Sequence, residues 1–253
     1  MPLTEAATWQ VMLDPAGRSG AANMAIDAEL LADAAARRRA ALRLYRFAPP
    51  CLSLGRNEPA ARYDRAAIAR LGIDVVRRPT GGRAVWHEHD VTYAVAAPIA
   101  AFGGLRAAYH AIHTRIAAAL RALGADVTLA FDRPTARAPG RSGACFATAV
   151  GGEVVSAGRK LVGSAQVRRG AALLQHGSIL VAGSQDIVDV VSRQSSLVVS
   201  GATTLSEVLG RRVSFDEVAS AIVDAWWDTV SVTARPPDRL TAAFRDPAWL
   251  WRR

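Results

Sequence analysis

The segment EVVSAGRKLVGSAQVRRGAALLQHGSIL, residues 153–180, decides the fold because it predicts two neighbouring strands. Apolar and polar residues alternate from Gly158 onward, and a small, polar run at residues 163–166 interrupts the alternation. Residues 173–180 predict a second strand that ends in polar groups. If the two strands pair, Lys160 and His176 lie in one neighbourhood.

Lys160 is the only lysine of the chain, since 30 of the 31 Lys and Arg residues are arginine. A guanidinium is not deprotonated in proteins, whereas an amine can act as an acid, a base or a point charge. Lys160 is therefore a candidate chemical residue. The alternative is an ordinary surface lysine.

The composition predicts a globular α/β or α+β protein, because 253 residues with 51% apolar and 21% charged side chains can bury a sizeable core. No run approaches the ~20 apolar residues of a membrane span. The first residues resemble no signal peptide, so we expect a cytoplasmic protein. Two cysteines, Cys51 and Cys145, make no disulfide framework, and reduced thiols are expected.

The formal net charge of +9 predicts an acidic partner, which can be a nucleic acid, an anionic lipid or a protein. The arginines are scattered, and neither a zinc-finger spacing nor a basic ribbon with aromatic residues is present. Nucleic acid is therefore not favoured over an acidic protein.

A second informative segment follows the buried strand predicted at residues 73–77. Paired glycines, Gly81 and Gly82, are flanked there by Arg77, Arg78 and Arg83. Such a loop lets an anion meet backbone N–H groups and guanidinium groups at once. The alternative is a tight hairpin turn with surface charges. The segment matches neither a P-loop nor a dinucleotide fingerprint.

Two further features concern histidine and cysteine. The run His87-Glu88-His89-Asp90 has no completing ligand motif, so a metal site is not favoured. Cys51 lies in an apolar strand and is expected in the core. Cys145 follows an Arg- and Pro-rich loop at residues 132–143, and cationic surroundings favour a reactive thiolate.

The remaining pattern predicts strands at residues 9–13, 42–47, 51–54 and 91–97 and helices at residues 23–39, 64–71, 105–123 and 215–227. The turn Ala48-Pro49-Pro50 suits a hairpin or a sheet corner. His113 is expected to pack or to face solvent, and the Trp-rich tail is expected to pack back.

At several of these segments the chain resembles the lipoate ligase and octanoyltransferase branch of the biotin/lipoate protein ligase superfamily. The residues that carry the resemblance are NMAID (23–27), LRLYRFAPP (42–50), LGR (54–56), RRPTGGRAV (77–85), GRKLVGSAQ (158–166) and QHGS (175–178). The resemblance implies an α+β fold, with residues 1–253 as one catalytic domain like those of class II aminoacyl-tRNA synthetases and biotin ligases. A mixed sheet flanked by helices is expected, with an acyl pocket lined by the Arg-Gly-Gly loop and the Lys160 strand.

Two features are similar to the LipM-type, cysteine-dependent octanoyltransferases of this branch. Arg83 stands where ATP-dependent lipoate ligases have a third glycine, and Cys145 lies in an Ala-Cys-Phe triplet. The resemblance implies octanoyl transfer from acyl carrier protein, through a Cys145 thioester, to a lysine of a lipoyl-accepting protein such as the glycine cleavage H protein. It implies catalysis by Cys145 and Lys160, no ATP or metal cofactor, and a monomer.

The resemblance also implies a set of substrate-binding residues: Arg77, Arg78, Gly81, Gly82, Arg83, His87, Gly163, Ser164, Gln166, His176 and Gly177. Lys160 is expected to stabilise the thiolate as a cation and to serve as a base once neutral. Two alternatives stay open. One is an ATP-dependent lipoate-protein ligase that forms an acyl-adenylate, and the other is a carrier-binding module without catalysis.

Overall fold

The structure is a computed structural model that describes residues 9–130, 151–193, 201–226, 230–232 and 241–252. The strands are β1 (Trp9–Arg18), β2 (Ala40–Phe47), β3 (Cys51–Leu54), β4 (Asp74–Arg77), β5 (Val85–His87), β6 (Asp90–Pro98), β7 (Thr128–Leu129), β8 (Val154–Ser156), β9 (Arg159–Lys160), β10 (Val162–Arg169), β11 (Ala172–Leu180) and β12 (Val230–Val232). The helices are α1 (Gly20–Arg37), α2 (Arg65–Arg70), α3 (Leu105–Ala122), α4 (Ile187–Val190), α5 (Leu205–Leu209), α6 (Phe215–Asp224), α7 (Thr241–Arg245) and α8 (Pro247–Leu250).

A six-stranded mixed sheet in the order β10-β11-β6-β2-β1-β12 forms the centre of the fold. The pairs from β10 to β2 are antiparallel, while β1 is parallel to both β2 and β12. Side chains alternate between its faces, so Leu42 and Leu44 pack toward α3 and α6, whereas Ala41 and Tyr45 pack toward α1. The α+β fold with a mixed sheet between helices is as predicted.

The segment at residues 153–180 folds in part as the alternation indicates. β10 and β11 form an antiparallel hairpin in which Ala165 pairs with His176 and Ser164 pairs with Gly177. Lys160, however, belongs to β9, which pairs with β8 in a separate three-stranded sheet. The predicted strand pair is confirmed from Val162 onward.

The prolines at residues 49 and 50 make a sheet corner. β2 belongs to the central sheet, whereas β3 pairs with β4 and β5 in a second, three-stranded sheet. The hairpin alternative is therefore wrong. Cys51 in β3 is fully buried, which confirms its place in the core.

Helix α1 begins earlier than the apolar pattern indicates. Ser19 caps it by accepting a hydrogen bond from the backbone N–H of Ala22 at 3.4 Å, and Asn23 lies one turn inside. Arg38, in the left-handed conformation, ends the helix. The helix therefore begins one turn before residue 23, where the pattern predicted its start. Ser19 caps this first turn, and the apolar pattern did not indicate that cap.

The C-terminal tail packs against the loop that carries the paired glycines, as expected. The indole Nε1 of Trp249 donates to the carbonyl of Arg77 at 2.9 Å, and the Nε of Arg77 donates to the carbonyl of Leu250 at 3.0 Å. Across the described part of the chain, none of the helices combines the length and apolar character needed to cross a membrane.

Candidate active site

A pocket lies on the α1 side of the central sheet, where the sheet meets β3 and β5. Six of the predicted site residues line it: Arg78, His87, Gly163, Ser164, His176 and Gly177. The pattern did not indicate its other lining residues, which are Met24, Tyr45, Phe47, Ser53, Val85, Thr92, Ala165 and Ser178. The structure thus brings Arg78 and the β10–β11 hairpin around one cavity, whereas Gly81, Gly82, Arg83 and Lys160, which were also expected there, are not among the residues that line it.

Gly177 is needed for the close approach of β10, β11 and β6 at this pocket. A Cβ at residue 177 would collide with the Gly163 carbonyl and the Ser164 Oγ, and it would lie 2.9 Å from the Tyr93 ring. Glycine is therefore required here for space, and any side chain would push the strands apart.

The Arg-Gly-Gly loop is held from inside by Arg78. Its guanidinium donates to the carbonyls of Ser53, Gly81 and Arg83 at distances between 2.6 and 3.1 Å. Gly82 takes a φ of +91°, which favours glycine. Arg78 therefore shapes the pocket wall through main-chain contacts.

Arg77 points into the protein. It is 0% exposed, and it donates to the carbonyls of Gly55 at 2.6 Å and Glu58 at 2.7 Å. Its contacts join β4 to the tail and to the turn after β3. Among the three arginines of the loop, Arg83 is half-buried and Arg78 is buried, so Arg83 lies nearest to solvent.

Two histidines line the pocket, and each is held at both ring nitrogens. The Nδ1 of His87 lies 2.8 Å from Asp90, and its Nε2 lies 2.8 Å from the Ser53 hydroxyl. Burial alone would raise the pKa of Asp90, but adjacent His87 and two hydroxyl donors lower it below its ordinary value. The charged carboxylate therefore fixes which nitrogen of His87 carries a proton. Within the run at residues 87–90, His87 and Asp90 bond to each other, while Glu88 and His89 are exposed.

His176, which also lines the pocket, has the same arrangement. Its Nδ1 lies 2.9 Å from Asp27, and its Nε2 lies 2.6 Å from the Thr80 hydroxyl. Asp27 is fully buried and also contacts Arg43 at 3.1 Å and the Tyr45 hydroxyl at 2.9 Å. A buried polar network from α1 and β2 thus orients His176.

Lys160 is buried with a carboxylate that the sequence pattern did not reveal. Its Nζ lies 2.8 Å from Glu153 Oε1, and the side chains are only 2% and 3% exposed. The β8–β9 hairpin, in which Val155 pairs with Lys160, brings the two together. The surface-lysine alternative is wrong, because a solvated lysine would not be buried. Cys145 lies outside the described residues.

Gln166, another predicted site residue, does not line the pocket either. It bonds to the side chain of Gln175 at 2.8 Å. His113 of α3 is fully buried, and its Nε2 lies 2.8 Å from the Ser164 hydroxyl. The packing interpretation of His113 is thus correct, but its contact with a pocket residue is a feature that the helical pattern could not show.

A pH dependence of stability is expected from His113, because burial lowers its pKa from 6.5 to about 3. Between those pH values only the unfolded chain binds the proton, so stability falls as the pH falls. Chemical unfolding should show a loss of about 2 kcal/mol from this residue between pH 7 and pH 5.

The His113→Gln variant should lose less stability than the parent over that interval. His110→Gln is the matched control, because His110 is exposed on the same helix. Equal acid sensitivity of the parent and the His113→Gln variant would contradict the expectation.

The described architecture and pocket define a catalytic domain of the lipoate protein ligase fold. Lipoate-protein ligase A bound with ATP superposes with a TM-score of 0.73 at 18% identity, covering 97% of this chain and 94% of that one. A bipartite lipoate protein ligase from Thermoplasma acidophilum, solved with its E2 lipoyl domain, gives a TM-score of 0.71 at 19% identity and covers 96% of each chain. At these identities the likeness shows the fold alone.

The family model described as the lipoyl protein ligase A/B catalytic domain matches residues 19–227, and the chain belongs to this family. The octanoyltransferase LipM of Moorella thermoacetica is 39% identical over 236 residues, covering 87% of this chain and 86% of that protein. LipM of an Exiguobacterium species is 34% identical over 275 residues, covering 97% and 99%. The chain is therefore an acyltransferase, and the resemblance seen in its motifs is confirmed.

Proposed function

We propose that this enzyme transfers an octanoyl group from acyl carrier protein to a lysine of a lipoyl-accepting protein, through a thioester on Cys145. The observation that carries the proposal is the 39% identity to an octanoyltransferase LipM over most of both chains. The acceptor is a lipoyl domain or a protein of the glycine cleavage H type. The reaction uses neither ATP nor a metal ion.

The pocket chemistry supports an apolar acyl chain as the transferred group. Although several lining residues are polar, their hydrogen bonds are made within the protein: both nitrogens of His87 and of His176 have partners. Thr92 donates to Asp90 at 2.9 Å. An apolar chain can therefore enter without leaving these groups unsatisfied, which would otherwise cost about 1–3 kcal/mol each.

The reaction has two steps. In the first, the Cys145 thiolate attacks the thioester carbonyl, a new C–S bond forms, and the carrier leaves as a thiolate that takes a proton. In the second, the acceptor amine attacks the same carbon, the C–N bond forms, and Cys145 leaves. A free thiol with a pKa of about 8.5 and an amine with a pKa of about 10.4 are both mostly protonated, and so poorly reactive, at neutral pH. Each step therefore needs a group that removes a proton or stabilises the deprotonated form.

Lys160 and Glu153 together form the pair of groups that accepts and donates these protons. A proton that moves across their 2.8 Å contact leaves the net charge of the pair at zero, because the ammonium–carboxylate and amine–acid forms are both neutral overall. The internal transfer therefore forms the Lys160 amine without adding net charge to the interior. The amine can then accept the proton of the incoming lysine, and the Cys145 thiolate that leaves balances the positive charge that the pair gains. An arginine would keep its charge and could not do this.

The charge of the chain supports acidic partners. The net charge is +9, and Arg77 and Arg78 are turned inward by main-chain carbonyls. Arg83 is therefore the arginine of this loop that contacts a phosphate or an acidic side chain of the carrier.

Intact-mass measurement after incubation with octanoyl-acyl carrier protein, without ATP, tests the proposal. We expect one octanoyl adduct that is absent in Cys145→Ser and retained in Cys51→Ala, which removes the other, buried cysteine. An adduct-free protein that modifies its acceptor only when ATP is added would overturn it in favour of a ligase.

A further inference from the structure

The pocket runs across the strands of the central sheet. One row of paired residues crosses β10, β11, β6 and β2 at right angles to the strands, and all of its members line the pocket: Gly163, Ser178, Thr92 and Tyr45. Neighbouring strands lie about 4.8 Å apart, so the row spans about 14 Å from its first strand to its fourth. The pocket is therefore a channel whose length follows from the strands beneath it.

The two ends of this channel differ in exposure. β10 forms the edge of the central sheet as far as the structure describes it, and Ala165 and Gly177 at this end are half-buried. At the β2 end, by contrast, Tyr45, Phe47 and Met24 are all buried. The channel therefore opens at β10 and is closed at β2.

An acyl chain that enters this channel has its carbonyl at the β10 end. Lys160, which the proposed transfer uses, ends β9 directly before β10, whereas aromatic and thioether side chains form the β2 end. An extended saturated chain advances about 1.3 Å per bond, so an octanoyl group reaches about 9 Å from its carbonyl carbon to its methyl group. Because carbon atoms in contact stay about 4 Å apart, this length fills the channel up to the side chains at the closed end.

Two aromatic rings stand at the closed end, and they are held differently. Tyr45 belongs to the buried polar network, since its hydroxyl donates to Asp27 at 2.9 Å and the guanidinium of Arg43 lies 3.9 Å from the centre of its ring. Phe47 is held by packing alone. Its ring stacks on the His87 ring with 4.1 Å between centroids and lies 5.7 Å from the Tyr45 ring. Phe47 thus fills the space between Tyr45 and His87.

We propose that Phe47 sets the maximum length of the acyl chain that this enzyme transfers. The inference rests on the proposed octanoyl transfer and names the substrate class of the same pocket: unbranched acyl groups up to the length of an octanoyl chain. A shorter chain loses contacts with the rings, whereas a longer one must displace a buried side chain. Because a phenyl ring makes no hydrogen bond, its removal lengthens the channel without leaving a polar group unsatisfied.

Competition between carriers that bear different acyl chains tests this role. The parent and Phe47→Ala are each incubated with an equimolar mixture of hexanoyl-, octanoyl-, decanoyl- and dodecanoyl-acyl carrier protein, and the adducts are measured by intact mass. The parent should take octanoyl over decanoyl by roughly tenfold or more. Phe47→Ala should invert this preference, which is a change of roughly 100-fold in the ratio of the two adducts.

Leu44→Ala is the matched control. Leu44 is fully buried in the same strand but packs on the opposite face of the sheet, toward α3 and α6. This variant should lose stability as Phe47→Ala does, because both create a cavity, yet its ratio of octanoyl to decanoyl adducts should stay within about threefold of the parent's. If Phe47→Ala does not fold, Phe47→Leu keeps more of the volume and should still favour decanoyl by roughly three- to tenfold relative to the parent.

Unchanged selectivity in a folded variant at Phe47 would overturn the proposal. A shift of the same size in Leu44→Ala would also overturn it, because a loosened fold and not the ring would then decide chain length. Calorimetric titration with free octanoic and decanoic acids measures binding without transfer. A parent that forms no adduct, together with a Phe47→Ala variant that gains affinity for decanoic acid, contradicts the transferase but supports the role of Phe47.

Discussion

Replacing Arg43 by alanine is expected to lower the free energy of unfolding by roughly 3–5 kcal/mol, because it leaves the buried Asp27 carboxylate without its arginine, whereas Asp14 keeps Arg18. Arg43 is 0% exposed and lies 3.1 Å from both Asp14 and Asp27. Its guanidinium also donates to the Asn23 side chain at 2.7 Å. One cation thus joins β1, β2 and α1 in the interior of the fold.

Urea unfolding followed by circular dichroism measures this effect, with Arg37→Ala as the control. Arg37 pairs with Asp33 on the surface of α1, and both side chains are exposed. Its loss should cost less than about 0.5 kcal/mol. If both arginine variants unfold at the same urea concentration, the network does not stabilise the fold as described.

The network also connects stability to the acyl pocket. Asp27 bonds both Arg43 and His176, so a variant at Arg43 removes the charge that holds the carboxylate facing the pocket histidine. The folded fraction of Arg43→Ala is therefore expected to accept the octanoyl group less well. We expect this because a displaced Asp27 no longer sets the orientation of the His176 ring.

The second large effect is expected at Lys160. Lys160→Met should reduce acyl transfer to the acceptor about 10^2- to 10^4-fold, the range of a lost acid–base group. It should also cost roughly 3–5 kcal/mol of stability, because it deletes an opposite charge 2.8 Å from the buried Glu153 carboxylate.

The double variant Lys160→Met/Glu153→Gln separates folding from chemistry. It removes both charges, so most of the stability should return while transfer stays low. Lys160→Arg keeps the positive charge and should support acylation of Cys145 better than transfer to the acceptor. Full activity of Lys160→Arg in both steps would remove the base role assigned to the amine. Single-turnover acylation by octanoyl-acyl carrier protein and the decay of the octanoyl-enzyme with an acceptor protein give these two rates.

Much of the central fold follows from local pattern. The strands at residues 162–169 and 172–180, the corner at Pro49 and Pro50 and the long helix α3 follow from alternation, proline and periodicity. These features depend on residues that are close in sequence, so the sequence alone can predict them. The glycines and histidines of the motifs that line the pocket were also identifiable, since both are distinctive residue types.

Side-chain partners could not be derived in this way. Arg77 and Arg78 have the composition of an anion site, but main-chain carbonyls take up most of their donors in the folded protein. Predicting the pair of Glu153 and Lys160 would have required knowing that the hairpin turns at Ala157 and Gly158. The position of the turn sets the hairpin register, and the register decides which residues face each other.

The sequence by itself determined the mixed sheet between helices, the family, and the residue types available to one pocket. Only the tertiary structure decided that Asp27 holds His176, that Glu153 pairs with Lys160, and that Tyr93 and His113 both contact the Ser164 hydroxyl. The physical reason is that burial requires each polar group to find a partner, and that partner is often distant in the chain. Hydrophobic periodicity predicts which face of a helix or strand a side chain occupies. The packing of separate helices and strands determines which residues that side chain contacts.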